Sequence, residues 1–330
     1  MHLIDKAIKQ YYQKISQNFA FNYFDVGSSV PLNKYLLELH KIFKIKLFEP
    51  NISEYKKLEN LKNKKKNLEI YPYAISNKAI EKLNIYHRPN FSSFYPIDKK
   101  YKDFIRGNLK KISRPTVKCI SLKKLLEINL KNLKKNKKKI SNVLKIDTQG
   151  HNIKSLISAK KKINEFSVII LENDFFPIYK KQSLYFDSGK FLHENKFIRV
   201  GSICNLDWSF YKKNLKNNHL YNELESSSDV LFIKNIFENK NISNADNLSI
   251  IFFLIIFNYI DMAQFYIFKS KLDLKIKKKL NKIIKNTIKN NRNTKKKLIS
   301  NFLNKKISIN KLINYLSYKK EITSIFRTRI

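Results

Sequence analysis

Phe24-Asp25-Val26-Gly27 closes an apolar run that reads as a buried strand. The same grammar returns at Phe48-Glu49-Pro50-Asn51 and at Lys145-Ile146-Asp147-Thr148-Gln149-Gly150. Each string puts an acid at the C-terminal end of its strand. In an open α/β sheet, ligands bind outside the carboxyl ends of the strands. Three acids delivered to that edge point to one site.

Outward from these strings, strand-like and helix-like patterns alternate over the first 235 residues. Phe21 to Val26 is the first strand. Leu32, Tyr35, Leu36, Leu39 and Phe43 then recur at helical spacing. Ile45 to Phe48 is the second strand, Ser53 to Leu61 a helix with Ser53 as its N-cap, and Leu68 to Ile75 the third strand. Pro89, Pro96 and Pro115 interrupt the next segment before a strand at Val117 to Ile120, and Ser121 caps a helix from Leu122. A Lys/Asn-rich connector spans Asn132 to Lys139. Val143 to Ile146, Ser167 to Leu171, Phe197 to Val200 and Val230 to Ile233 read as strands, with helices at Asn152 to Ile163 and Ser188 to Asn195. Repeated βα units predict a mostly parallel sheet with helices on both faces. After Asn235 acids thin out and strand signals fade. The expected organisation is an α/β domain over 1–235 and a Lys-rich, all-helical C-terminal extension over 236–330.

The chain of 330 residues is 43% apolar, enough for a packed core, and carries 67 Lys and Arg against 26 Asp and Glu. A formal charge of +41 suggests nucleic acid or an anionic membrane. However, only seven of the cations are Arg, the residue whose planar fork grips phosphate, and Lys is spread through turns and helix faces alike. A solvated Lys-rich surface explains the charge better than a nucleic-acid groove. Cys119 and Cys204 have no metal-ligand spacing and imply no disulfide framework, and no metal is expected. Met1 to Asn18 holds no uninterrupted apolar segment, so no signal peptide is read and a cytoplasmic location is expected. Ser249 to Phe268 has a strong apolar run, but Asn258, Asp261 and Gln264 interrupt it. A buried or interfacial helix fits better than a membrane span.

Chemistry follows from placement. Gly27 lets backbone approach a neighbour where a Cβ would clash. Glu49, 22 residues later, is placed to accept both hydroxyls of a ribose. A dinucleotide fold would also carry Gly-x-Gly-x-x-Gly to seat a pyrophosphate, whereas Gly27 is followed by Ser28-Ser29-Val30-Pro31. A cofactor with a ribose and no phosphate suits this loop, and S-adenosylmethionine is one. Lys145 and Asp147 share a strand face, and Asp147 is a candidate base or orienting group. His151 is a second candidate base, set against a packing role.

With these strings, Ala74-Ile75-Ser76-Asn77, Ser92-Ser93, His151, Leu156 with Ala159, and Ile170-Leu171-Glu172, the chain resembles the FkbM family of S-adenosylmethionine-dependent methyltransferases along residues 20–200. The resemblance implies a class I methyltransferase fold, a Rossmann-like seven-stranded sheet with one antiparallel strand. It implies that Asp25, Gly27 and Ser28 border the methionine part of the cofactor. Glu49 would hold the ribose, and Asn51, Ala74 and Ser76 would lie near the adenine. Asp147, Lys145 and Glu172 would face the acceptor. The chain departs from the family pattern at Pro31, where a second Gly is usual, and at Asn152, where a Glu is usual.

The expected activity is methyl transfer to a hydroxyl, on a sugar, glycan or glycolipid. Two alternatives stand beside it: an inactive relative that keeps the pocket as a binding module, and a basic nucleic-acid-binding protein. The C-terminal extension could also associate weakly with an anionic membrane surface at the inner face.

Overall fold

The computed structural model describes residues 6–29, 34–62, 67–101, 109–133, 138–208, 224–239 and 241–303. In chain order the elements are α1 (Lys6–Ile15), β1 (Phe19–Val26), α2 (Lys34–Leu39), β2 (Lys44–Phe48), α3 (Ile52–Lys62), β3 (Leu68–Tyr71), β4 (Ala74–Ile75), β5 (Ile80–Lys82), β6 (Ile85–Tyr86), β7 (Lys111–Ser113) and β8 (Thr116–Ile120). They continue with α4 (Leu122–Leu133), β9 (Lys139–Ile146), α5 (Asn152–Ile157), β10 (Phe166–Asp174), α6 (Tyr185–Glu194), β11 (Phe197–Trp208), β12 (Leu224–Lys234), α7 (Asn244–Ile256), α8 (Ile260–Lys269) and α9 (Leu274–Leu303).

Seven strands form one sheet in the order β11-β12-β10-β9-β1-β2-β3. β1 runs parallel to β2 and β9, β9 to β10, and β2 to β3. β12 alone runs against its neighbours β10 and β11. This is the mainly parallel sheet with one reversed strand that the sequence led us to expect. From β1 the chain winds outward through β2 and β3, and from β9 it winds the other way. The crevice between β1 and β9 is therefore the topological switch point, where such sheets bind ligands.

Strand alternation assigns the two faces. Tyr23, Ile45, Leu47, Val143, Val168, Ile170, Leu231 and Ile233 pack with residues of α1, α2, α3, α7, α8 and α9 in one core. Phe24, Val26, Phe48, Leu144, Ile146, Ile169 and Leu171 pack on the other face with Leu122 and Leu126 of α4, Leu156 of α5 and Leu192 of α6. Eleven residues of α7, from Ala245 to Ile255, are buried. The Tyr12 hydroxyl of α1 donates to the Leu248 carbonyl of α7 at 2.7 Å. The apolar core is thus continuous across residue 235.

Several expectations need correction. The predicted third strand, Leu68 to Ile75, is two strands: β3 joins the main sheet, while β4 pairs with β8 in a three-stranded sheet with β5. Pro72 explains the break, since it has no N–H for the ladder. Asn51, not Ser53, caps α3, because its side-chain oxygen accepts the Ser53 N–H at 3.1 Å. The predicted Asn152 to Ile163 helix is α only to Ile157, and residues Lys160–Glu165 are 3-10. The run from Ser249 to Phe268 is two helices. Asn258 adopts φ +63° between them, a left-handed turn that Asn tolerates. The Ser121 cap holds, with its hydroxyl accepting the Lys124 N–H. α1 had no counterpart in the sequence reading. No helix among the described residues is long and apolar enough to cross a membrane.

Candidate active site

The three strings converge on one cleft outside the carboxyl ends of β1, β2 and β9. It is open to solvent and is lined by Gly27, Ser29, Glu49, Asn51, Ala74, Asp147 and Gln149 among others.

The first string builds the floor. Gly27 has φ +84°, and a Cβ there would stand 1.8 Å from the Asp147 carbonyl oxygen. The Asp147 N–H donates to the Val26 carbonyl at 2.9 Å, and the N–H groups of Gly27 and Ser28 both donate to the Phe48 carbonyl. Three strand ends are thereby laced by backbone at the switch point. The close neighbour that requires glycine is the β9 loop. Asp25 is buried beneath this turn, and the fully buried Ser28 turns its hydroxyl to the Asp25 carbonyl at 3.0 Å. Ser29, rather than Ser28, lines the cleft.

The second string forms one lip. Glu49 is 8% exposed, and one carboxylate oxygen accepts the Asn51 N–H at 2.7 Å. A carboxylate has about four acceptor positions, so this bond orients it without using it up. Asn51 spends its oxygen on the α3 cap. Ala74 lies on the wall formed by β4. Ser76 is buried, its hydroxyl accepting the Lys78 N–H at 3.3 Å, and it is not among the residues lining the cleft.

The third string supplies the polar network. Lys145 donates to Asp147 Oδ2 at 3.2 Å, as their shared strand face predicts. The Gln149 amide nitrogen donates to Asp147 Oδ1 at 2.9 Å and to Glu172 Oε2 at 3.0 Å. The Tyr179 hydroxyl donates to Gln149 Oε1 at 2.9 Å, and Ser93 Oγ donates to the Gln149 carbonyl at 2.6 Å. Gln149 itself has φ +50°, a strained conformation for a side-chain-bearing residue that these bonds hold in place. Asn152 accepts from the Thr148 N–H at 2.8 Å and from Thr148 Oγ1 at 2.6 Å, and donates to the Glu172 carbonyl at 2.6 Å. An ionised Glu has no N–H for the last of these bonds, so Asn is matched to this loop.

Lys145 and Glu172 stand behind Asp147 and are not among the lining residues. Burial raises the Glu172 carboxyl well above its usual range, and Asp147, Asp174 and Asp229 raise it further. It also lies within hydrogen-bonding reach of Asp147. Asp229 is its cross-strand partner, in register on β12. Asp174 is raised to about 7 by burial, with Asp147 adding and a Gln182 hydrogen bond opposing. These shifts favour the neutral form of Glu172, which donates a hydrogen bond to Asp147 instead of competing for a proton. No group among the described residues has the composition of a metal site.

His151 does not reach the cleft. It is 2% exposed, neither ring nitrogen has a hydrogen-bond partner, and it packs edge-on against Phe94 with ring centres 4.7 Å apart. Burial, then Lys154 and Lys78, lowers it to about 3. It is a packing residue and not a base. Tyr179, which with Asp174, Trp208 and Tyr211 the sequence offers as a sugar-contacting residue, is buried and holds Gln149 instead. Asp229 has no role in the sequence pattern, and Gln149 none beyond its place in the third string. A left-handed Gln and a cross-strand acid pair leave no local sequence signal. Pro31, and Tyr211 of the aromatic set offered for an acceptor sugar, lie outside the described residues.

A family model described as the methyltransferase FkbM domain matches residues 25–199, more than half of the chain. No curated protein matches it. Among solved structures, magnesium protoporphyrin IX methyltransferase from Synechocystis PCC 6803, with bound S-adenosylmethionine, is 8% identical, with 69% of this chain and 80% of that chain covered and a TM-score of 0.32. An S-adenosylmethionine-dependent methyltransferase from Clostridium acetobutylicum ATCC 824 is 10% identical, with 70% and 92% covered and a TM-score of 0.31. Precorrin-6y C5,15-methyltransferase from Geobacter metallireducens GS-15 is 10% identical, with 71% and 92% covered and a TM-score of 0.30.

Proposed function

Because the chain belongs to the FkbM family of S-adenosylmethionine-dependent methyltransferases, we propose that its own reaction is methyl transfer to a hydroxyl group of a sugar, glycan or glycolipid. The observation that supports this reading is the setting of Asp147. Its carboxylate is held from behind by Lys145 and Gln149, and Asp147 lines the same cleft as Glu49.

The residues present fit the cofactor. Glu49 offers an oriented carboxylate to a ribose diol, and among the described residues the lining of the cleft includes no cation cluster demanding a pyrophosphate. Asn51 and Ala74 border the same pocket and would lie near the adenine. When bound, the cofactor supplies an electrophilic methyl and its own leaving group. The chain then has to position the acceptor and take its proton. Asp147 accepts the hydroxyl proton. Lys145 keeps the carboxylate pointed and Gln149 fixes its second oxygen. Positioning supplies much of the acceleration, and a base at this place adds a factor on the order of 10² to 10⁴.

The test is a calorimetric titration with S-adenosylhomocysteine, followed by labelled-methyl transfer to extracted glycans and glycolipids. Binding with transfer to a hydroxyl supports the reading. Binding without transfer to any such acceptor leaves a cofactor-binding relative with another role.

A further inference from the structure

We propose that the corner where α8 meets α9 is a docking surface for an anionic lipid bilayer. Phe237, Phe268 and Leu274 are 71%, 74% and 71% exposed, three of the four most exposed large apolar side chains described. Phe265, Lys269 and Lys277 link the elements that carry them. Phe237 leans on Phe265, with ring centres 5.5 Å apart. The Lys269 ammonium lies 5.9 Å from the Phe265 ring centre and 5.7 Å from that of Phe268. Lys277 Nζ donates to the Phe268 carbonyl at 3.1 Å, which brings the first turn of α9 against the end of α8.

Charge surrounds this apolar corner. Residues 269–289 hold nine Lys and a single acid, Asp273. The whole chain has 67 cations to 26 acids, so the local excess goes beyond the general bias toward Lys. α9 turns Leu280, Ile283 and Ile284 into the core, which leaves Lys278, Lys279, Lys282 and Lys285 exposed. Of the other acids nearby, Asp246 pairs with Lys234 at 2.8 Å, Glu238 accepts from the Asn235 side-chain amide at 2.7 Å, and Asp261 stands in the first turn of α8, at the end away from the corner.

Exposed apolar side chains within a field of lysines match the boundary between headgroups and acyl chains. Lysine stems lie along apolar surface while their ammonium groups reach the anionic layer. A nucleic acid would use the rings for stacking, but Leu274 has no π face to offer. The supporting helices are fixed. α7 is almost wholly buried, and the Tyr266 hydroxyl of α8 donates to the Lys234 carbonyl at 2.6 Å. The corner is a rigid surface mounted on the catalytic sheet.

The experiment is cosedimentation of the full chain with vesicles of phosphatidylcholine alone or mixed with phosphatidylserine, without cofactor or acceptor. The expected result is binding to the mixed vesicles only, weakened by salt. Phe268→Ser with Leu274→Ser should lower it at least roughly tenfold with an unchanged unfolding midpoint, and Lys278→Glu with Lys282→Glu should do the same. Absence of binding by the parent chain, or binding by both double variants equal to the parent, would overturn the proposal. So would an RNA oligonucleotide that binds the Phe268/Leu274 variant as tightly as the parent and displaces the vesicles, since the lysines would then be a general polyanion surface.

Discussion

The carbonyl oxygen of Asp147 occupies the space that a side chain on Gly27 would need. A Cβ on Gly27 would lie 1.8 Å from that oxygen, with backbone on both sides of the contact and φ at +84°. Gly27→Ala must therefore separate β1 from β9 at the cleft floor. The expected cost is roughly 3 kcal/mol or more, read as a lower urea midpoint, with loss of cofactor binding. An alanine variant of parental stability would show that the two strand ends are not held this closely.

Asp147→Ala should lower turnover by a factor on the order of 10² to 10⁴ while S-adenosylhomocysteine still binds. Asp147 lines the cleft, and the lacing of the floor is made by its backbone, which the substitution keeps. Near-parental turnover with any competent acceptor would remove Asp147 from the role of base.

Glu49→Ala tests the other lip. A hydrogen bond from a ligand hydroxyl to a charged group contributes about 1.5–3 kcal/mol, so cofactor affinity should fall by roughly ten- to a hundredfold. The remaining Asn51 N–H loses its local acceptor, so unfolding should be followed alongside calorimetry. Unchanged affinity in a folded variant would end the ribose assignment.

His151 gives the fold a pH dependence. Its folded-state value of about 3 lies below the ordinary 6.5. Between these values the unfolded chain binds a proton that the folded chain refuses. Stability from this residue is therefore fully present above about pH 6.5 and is lost as pH falls, at up to about 1.4 kcal/mol per pH unit. His151→Phe keeps an aromatic ring against Phe94 and removes the proton. Denaturant midpoints at neutral and mildly acidic pH should differ less in the variant than in the parent, and equal slopes would refute the assignment.

The sheet was legible because a buried strand ending in an acid or glycine is a local pattern. Asp25, Glu49 and Asp147 could be placed on one edge from sequence, and the Lys145–Asp147 pair followed from strand parity. What escaped depends on tertiary context. Pro72 diverts the chain into a second sheet, but a Pro in sequence does not say which strand will receive Ala74 and Ile75. His151 sits beside the motif, and only its packing on Phe94 shows that it faces inward. Gln149 was visible within the string, yet its bond to Glu172 crosses from one strand end to another.

The burial of α7 bears on where this chain can be shortened. The segment that carries the family pattern, residues 25–199, has a sheet face roofed by a helix that begins at Asn244. A chain ending before that helix would expose Tyr23, Val143 and Ile170 to water. The active-site strings therefore rest on a cover for the opposite face that lies beyond the family pattern. Truncation at the edge of that pattern would remove part of the core along with the tail.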